Sequence, residues 1–319
     1  MSRVIRRVGA RLGILAASLL AASVLIFVVC SALPGDVASV ILGEGATPDQ
    51  LATLRHQLGT DRPLPVQYLS WASGMLQGDF GRSYLSGDSV ASLLGPRLAV
   101  TFWLVTFSLI LALLVALPTG MYAALRRRHW DGFIATALAQ IGMAIPAFWA
   151  GLLLVAVFAV GLHWLPANGY VPFAEDPGSW AAHLVLPVLA LGLIQGAMLT
   201  RYVRSAFIDV LNEDYFRTAR AVGWTQGRAM VRHGLRNASL SLVTVLGLQL
   251  SSVLVGAIVI ESVFALPGLG TMLLQVVTQH DLQVVQGTVM FLVAVVLVVN
   301  ALVDVSYLII DPRLRGERE

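Results

Sequence analysis

The 319-residue chain contains no lysine; all 21 of its basic residues are arginine. A P-loop needs its lysine to reach the β- and γ-phosphates of a nucleotide, and no GxxxxGK[ST] pattern occurs. If ATP drives this protein, another polypeptide binds it. Cys30 is the single cysteine, which excludes an internal disulfide and a cysteine zinc cluster. His56, His129, His163, His183, His233 and His280 are dispersed, with no HExxH and no GxSxG. The sequence therefore gives no support to a metalloenzyme or an intramembrane protease. Neither a cofactor nor a nucleic-acid partner is expected. Charge is also scarce, at 12% of residues against about 25% in soluble domains. Internal repeats at solenoid periods and low-complexity tracts are missing as well.

What the chain has instead is apolar length, with 57% hydrophobic residues. Six charge-free stretches cover residues 12–33, 98–125, 132–162, 177–200, 237–260 and 282–303. A bilayer core of ~30 Å needs about 20 such residues per helix, and helices satisfy their own backbone in lipid. Six transmembrane helices are predicted. The first stretch exceeds the ~7–15-residue core of a signal peptide and no A-x-A site follows it, so it is read as a span. Pro146 and Pro187 are expected to bend their helices.

Arginine placement predicts orientation. The N-terminus, the second and fourth connections and the C-terminus hold 17 of the 21 arginines. Arg55, Arg62, Arg82 and Arg97 all lie in the first connection on the other side. Both termini are thus expected in the cytoplasm of a bacterial cell, in its inner membrane. The first outer segment, residues 34–97, is too long for a bare connector. Thr47, Pro48 and Gln50 form a capping-box signal, Leu51, Leu54 and Leu58 share one face, and Gly59 is a stop. Pro65 opens a second short helix through Tyr68 and Trp71. This segment is expected to be a small helical cap on the outer membrane surface.

The fourth connection, residues 212–237, is too polar for lipid and too patterned for a linker. Asn212 is a suitable cap, with Glu213 and Asp214 in the first turn where the helix dipole favours acids. Phe216, Ala219, Arg220 and Val222 follow at helical spacing, and Gly223 permits a sharp turn. Thr225 then suits the cap of a second helix carrying Arg228, Arg232 and Arg236 on one face. A helix–glycine–helix hairpin with a small-residue corner fits a groove in another protein. Arginines alone would need no more than topology to account for them.

At these residues the sequence resembles the permease subunits of ATP-binding-cassette importers. Their cytoplasmic loop carries the pattern Glu-Ala-Ala-x-x-x-Gly, and here Arg217-Thr218-Ala219 precedes Gly223 at that spacing. The wording of residues 215–221 resembles the peptide/nickel (oligopeptide and dipeptide) branch. So do Leu33-Pro-Gly-Asp36, Leu58-Gly-Thr-Asp-Arg-Pro-Leu-Pro-Val-Gln-Tyr68, Gly78-Asp-Phe-Gly-Arg-Ser83, Val263-Phe-Ala-Leu-Pro-Gly-Leu-Gly270 and Asp311-Pro-Arg313, in order along nearly the whole chain. The resemblance implies a type I importer fold and a coupling helix that docks on an ATP-binding subunit. Its contact residues would be Asp214, Tyr215, Arg217, Thr218, Ala219, Arg220, Ala221 and Gly223. It also implies a second homologous permease subunit, one or two ATP-binding subunits and an extracytoplasmic substrate-binding protein. Two departures stand out. Arg217 occupies the glutamate position, so a glutamate-specific contact does not carry over. Ser239-Leu240-Ser241 replaces a common proline, so a straighter fifth helix is expected.

Few polar residues interrupt the spans. Gln195 and Gln249 fit either a substrate contact or a helix-to-helix bond. Glu261 fits either the mouth of a pathway or a hydrated helix end, and Asp304 fits pairing with an arginine. The reading is an all-α membrane protein. Residues 1–93 form the first helix and cap, and residues 94–319 a five-helix core with the loop 212–237. The expected function is that of a non-enzymatic permease for peptides or related small solutes. The alternative is a self-sufficient secondary transporter or channel, which should show inverted repeats or midplane ionisable groups.

Overall fold

The computed structural model describes residues 2–32, 37–43 and 45–310, without the side chains of 2–8, 236, 239–241, 244 and 304–310. Leu33-Pro-Gly-Asp36, Asp311-Pro-Arg313 and the side chain of Asp304 lie outside what is described. Helices account for most of the described residues: α1 (Ser2–Ala32), α2 (Val37–Leu42), α3 (Pro48–Leu58), α4 (Leu64–Leu76), α5 (Val90–Leu125), α6 (Trp130–Ala144), α7 (Ala147–Leu154), α8 (Pro177–Asn212), α9 (Asp214–Ala221), α10 (Gln226–Ala229), α11 (Leu235–Val263), α12 (Leu269–Thr278) and α13 (Leu282–Ile310). Among the described residues there is no named strand, only an isolated bridge between Arg82 and Ser89.

Five helical segments are long and apolar enough to cross a membrane, namely Gly9–Ala32, Val90–Leu125, Pro177–Asn212, Val245–Val263 and Leu282–Val303. The third predicted span, residues 132–162, is not one helix. It breaks into α6 and α7 with a bend of 96°, and counting the pair as one span gives six. Pro146 causes the break. Proline lacks the N–H for the helical ladder and pushes the preceding residue out of the helical region. Ile145 accordingly sits at φ −81°, ψ 121°. Beyond α7 the chain widens into a π-helix, Val155–Gly161. Pro187 lies inside α8 without ending it.

By packing, the chain divides into two units: Met1–Val100 with Gly268–Ala301, and Thr101–Pro267 with Leu302–Glu319. In the first unit, Ile26 and Cys30 of α1 pack with Val90 and Leu94, Leu269, Met272 and Val276 of α12, and Val284 of α13. The cap helices form where local signals place them. Thr47 accepts from the Gln50 N–H at 3.4 Å, Gln50 Oε1 accepts from the Thr47 N–H at 2.9 Å, and Gly59 ends α3 at φ 69°. Helix α4 seats buried Trp71 on α1, its ring 6.0 Å from Phe27. Tyr68 Oη lies 2.9 Å from Ser23 Oγ.

The second unit is built around α8, which contacts α6, α7 and α11. Lipid tails are as apolar as leucine, so helices in a membrane associate through close packing rather than through water exclusion. Small residues provide it here. A Cβ on Gly120 would meet Val203 Cγ1 at 2.6 Å and the Thr200 carbonyl at 3.0 Å. One on Gly192 would meet Leu111 Cδ2 at 2.8 Å and the Ser108 carbonyl at 3.1 Å. The Thr119 and Thr200 hydroxyls pair across the same α5–α8 contact at 3.0 Å.

Candidate functional site

The hairpin begins one residue later than the sequence suggests. Asn212 is the last residue of α8, and Glu213 takes the N-cap position of α9 at φ −74°, ψ 145°, with no side-chain cap bond. Carrying α8 on through Asn212 satisfies its backbone within a helix, so its side chain is not needed as a cap. Thr225 does occupy the N-cap of α10, again without a cap bond from its hydroxyl.

Helix α9 has two unlike faces. Phe216 is 3% exposed and joins Ala229 and Met230 against Leu199, Val203, Phe207 and Val210 of α8 and Leu242 of α11. Ala219 packs at the edge of this cluster. The rest of its surface presents Tyr215, Arg217, Thr218, Arg220 and Ala221, all exposed, with Arg220 one turn from Phe216 on the same side. Asp214 and Arg217 approach to 3.4 Å, but both are largely solvated, and such pairs contribute little. The Tyr215 phenol is raised above its ordinary range by partial burial and then by the Glu213 charge, partly offset by a hydrogen bond from Asn237.

The corner is a Schellman turn. The Gly223 N–H donates to the Arg220 carbonyl at 3.1 Å and the Trp224 N–H to the Ala219 carbonyl at 3.2 Å. Gly223 has φ 101°, in the region that favours glycine, and a Cβ there would meet only open space. Val222 stands 75% exposed at the tip. Trp224 braces the turn from behind. Its carbonyl accepts from Arg220 at 2.7 Å, its ring meets His233 edge-on at 5.4 Å, and Arg232 lies 5.8 Å above it.

The expected stripe of Arg228, Arg232 and Arg236 is altered. Residues Met230–Gly234 form a π-helix between α10 and α11, and an i→i+5 turn no longer stacks residues four apart. Arg232 faces Trp224 instead, while the Arg236 side chain lies outside the described residues. After this turn α11 runs on as one helix through the Ser239-Leu240-Ser241 segment.

Two of the polar span residues meet. Gln249 Nε2 donates to Gln195 Oε1 at 3.4 Å, joining α11 to α8, and Gln195 is buried. Glu261 has 0% exposure and accepts from Thr101 Oγ1 at 2.5 Å. Its carboxylate is therefore internal rather than hydrated. The sequence pattern does not single out Phe216, Met230 and Trp224 as the residues that hold the hairpin in place. Their apolar spacing around the corner is visible there, but the π turn that brings them together is not.

The chain belongs to the family of binding-protein-dependent transport system inner membrane components, whose model matches residues 116–316. The companion model for the N-terminal part of such membrane components matches residues 1–105. It is thus an ABC importer permease with the type I fold, a multi-pass protein of the inner membrane. It is 41% identical over 298 residues to the glutathione transport system permease protein GsiC of Salmonella choleraesuis, covering 93% of this chain and 95% of that one. The same figures hold for GsiC of Salmonella typhimurium. A Brucella abortus protein provisionally named a peptide transport system permease protein is 39% identical over 297 residues, again with 93% and 95% covered.

Proposed function

We propose that this chain forms half of the translocation pathway of an ATP-driven importer for peptides or related small solutes such as glutathione. The single observation that carries the coupling role is the two-faced hairpin. Phe216 and Met230 lock it to the ends of α8 and α11, while Ala221, Val222 and Gly223 protrude at a tip without bulk. Such a tip suits insertion into a cleft of an ATP-binding subunit. The locked inner face suits transfer of that subunit's motion to the spans. Arg217 takes part through a guanidinium where relatives of the resembled pattern carry an acid.

The partners in this reading are a second homologous permease, one or two ATP-binding subunits and an extracytoplasmic substrate-binding protein. Both chain termini lie in the cytoplasm, as the arginine distribution supports. Of the three polar span residues, Gln249 is proposed to border the pathway with Gln195 bonded behind it, while Glu261, buried against Thr101, is proposed to act within the wall and not on its surface. The peptide-class substrate rests on the names of the Salmonella and Brucella relatives. The self-sufficient carrier considered from composition gains no support from the family.

The test is Ala221→Trp, chosen because Ala221 is exposed and its enlargement leaves the inner face intact. The expected result is a folded permease that no longer co-purifies its ATP-binding subunit and no longer supports substrate-stimulated ATP hydrolysis. Unchanged uptake and hydrolysis in that variant would overturn the docking role.

A further inference from the structure

A cavity of about 460 Å³ lies beside the hairpin, between the end of α5 and α9. Arg127, Arg128, His129, Arg217 and Arg220 border it, and no carboxylate does. Its apolar part is supplied by Leu125 and Phe216. The cations differ in how they are occupied. Asp131 receives Arg126 at 3.5 Å and the Tyr122 hydroxyl at 2.7 Å, so Arg126 is neutralised outside the cavity. Arg127 and Arg128 have no carboxylate partner among the described residues. The turn carrying them is tightly built, since a Cβ on Gly132 would fall 2.2 Å from the Arg126 carbonyl oxygen.

Two aromatic residues at the start of α6, the first half of the bent pair, mark the level of this cavity. Trp130 is 80% exposed and Phe133 63% exposed, their rings 5.7 Å apart edge to face. Tryptophan concentrates at the boundary between hydrocarbon and water. A cluster of guanidinium groups immediately before such a residue is suited to the headgroup level. Guanidinium forks match phosphate oxygens in pairs, and basic pockets at this depth attract anionic lipids. Arg217 is paired with Asp214 at 3.4 Å, and Arg127, Arg128 and Arg220 supply the charge that repels the choline or ammonium of a zwitterionic lipid.

We propose that this cavity binds the phosphate of an anionic phospholipid headgroup, with Arg127 and Arg128 as principal ligands and Leu125 and Phe216 beside its glycerol end. The site stands on the membrane placement of α6; Arg217 and Arg220 are shared with the docking face proposed above, so the substitutions that test it are placed at Arg127 and Arg128, outside that face. The experiment uses the permease purified with its partner subunits and native mass spectrometry after exposure to phosphatidylglycerol or phosphatidylcholine. Wild type retains phosphatidylglycerol and not phosphatidylcholine. Arg127→Gln with Arg128→Gln weakens that retention about thirtyfold, while Arg127→Lys with Arg128→Lys keeps most of it, which separates lost charge from a damaged fold. Equal retention of the two lipids overturns the proposal, as does unchanged retention in the glutamine variant. So does displacement by millimolar inorganic phosphate, which assigns the site to a soluble anion. Loss of the ATP-binding subunit with lipid retention intact overturns it too, in favour of a protein contact.

Discussion

Asp281 is a buried carboxylate, 2% exposed, in a chain with few charges. It accepts from the Ser83 hydroxyl at 2.5 Å and from the Tyr84 N–H at 3.3 Å. Ser83 Oγ in turn accepts from the N–H groups of Leu85 and Ser86 at 3.2 and 3.0 Å. Burial, followed by the Asp281 charge, raises the Tyr84 phenol. The loop of residues 77–89 is thereby knotted to the start of α13. Leaving a buried donor unsatisfied costs roughly 1–3 kcal/mol. Asp281→Asn keeps the shape but replaces one acceptor oxygen by an amide NH2 donor, and removes the charge that strengthens both bonds. The expected outcome is a lower thermal midpoint and faster proteolytic cleavage within residues 83–88, with α9 and its hairpin undisturbed. Unaltered cleavage would mean that the knot is not what holds the loop.

At the scale of elements, what could be read in advance was what neighbours decide. The capping box of Thr47 and Gln50 and the stop at Gly59 are contacts within a few residues, and α3 begins and ends where they say. The positions of the spans follow from hydropathy for the same reason, but not all their ends: α5 begins at Val90 and α8 runs on to Asn212, beyond the apolar stretches 98–125 and 177–200. Pro146 announced a bend, but a 96° break also requires packing of α7 on α8 and α11, which no local pattern carries. The hairpin's corner at Gly223 was visible, whereas the π turn at Met230–Gly234 depends on seating Met230 in the core. Ser83 and Asp281 are 198 residues apart, so nothing in either neighbourhood reveals the other. The α5–α8 contact is similarly silent in sequence: glycines are common in membrane helices, and only the fold distinguishes Gly120. Gly120→Ala should lower the melting temperature, because its methyl collides with the β-branched Val203. Val203→Ala should cost some packing alone and, by removing Cγ1, relieve part of the clash in combination, since the Val203 Cβ stays 2.7 Å from the added methyl. The two substitutions therefore combine less than additively, which a double-mutant cycle of thermal unfolding measures. Strict additivity would place the cost elsewhere.

At the scale of the whole molecule, direction of transport depends on which side the hairpin faces. The distribution of arginine argues that residues 212–237 share the cytoplasm with both termini, while the segment carrying Ser86 faces out. The chain has one native cysteine, Cys30, which is buried, and Cys30→Ser gives a background suited to labelling. Ser86→Cys and Ala221→Cys each then place a thiol at an exposed position. In intact cells, a charged maleimide that does not cross membranes should label the Ser86→Cys protein at once. The Ala221→Cys protein should react only after permeabilisation, and more slowly when the ATP-binding subunit is co-expressed, since docking covers the tip. Early labelling at position 221 in intact cells would invert the topology and remove the hairpin from any cytoplasmic ATPase. Equal labelling with and without the ATP-binding subunit would keep the topology and move the docking surface away from Ala221. The two results are separate, so the orientation of the permease and the role of its hairpin can fail independently.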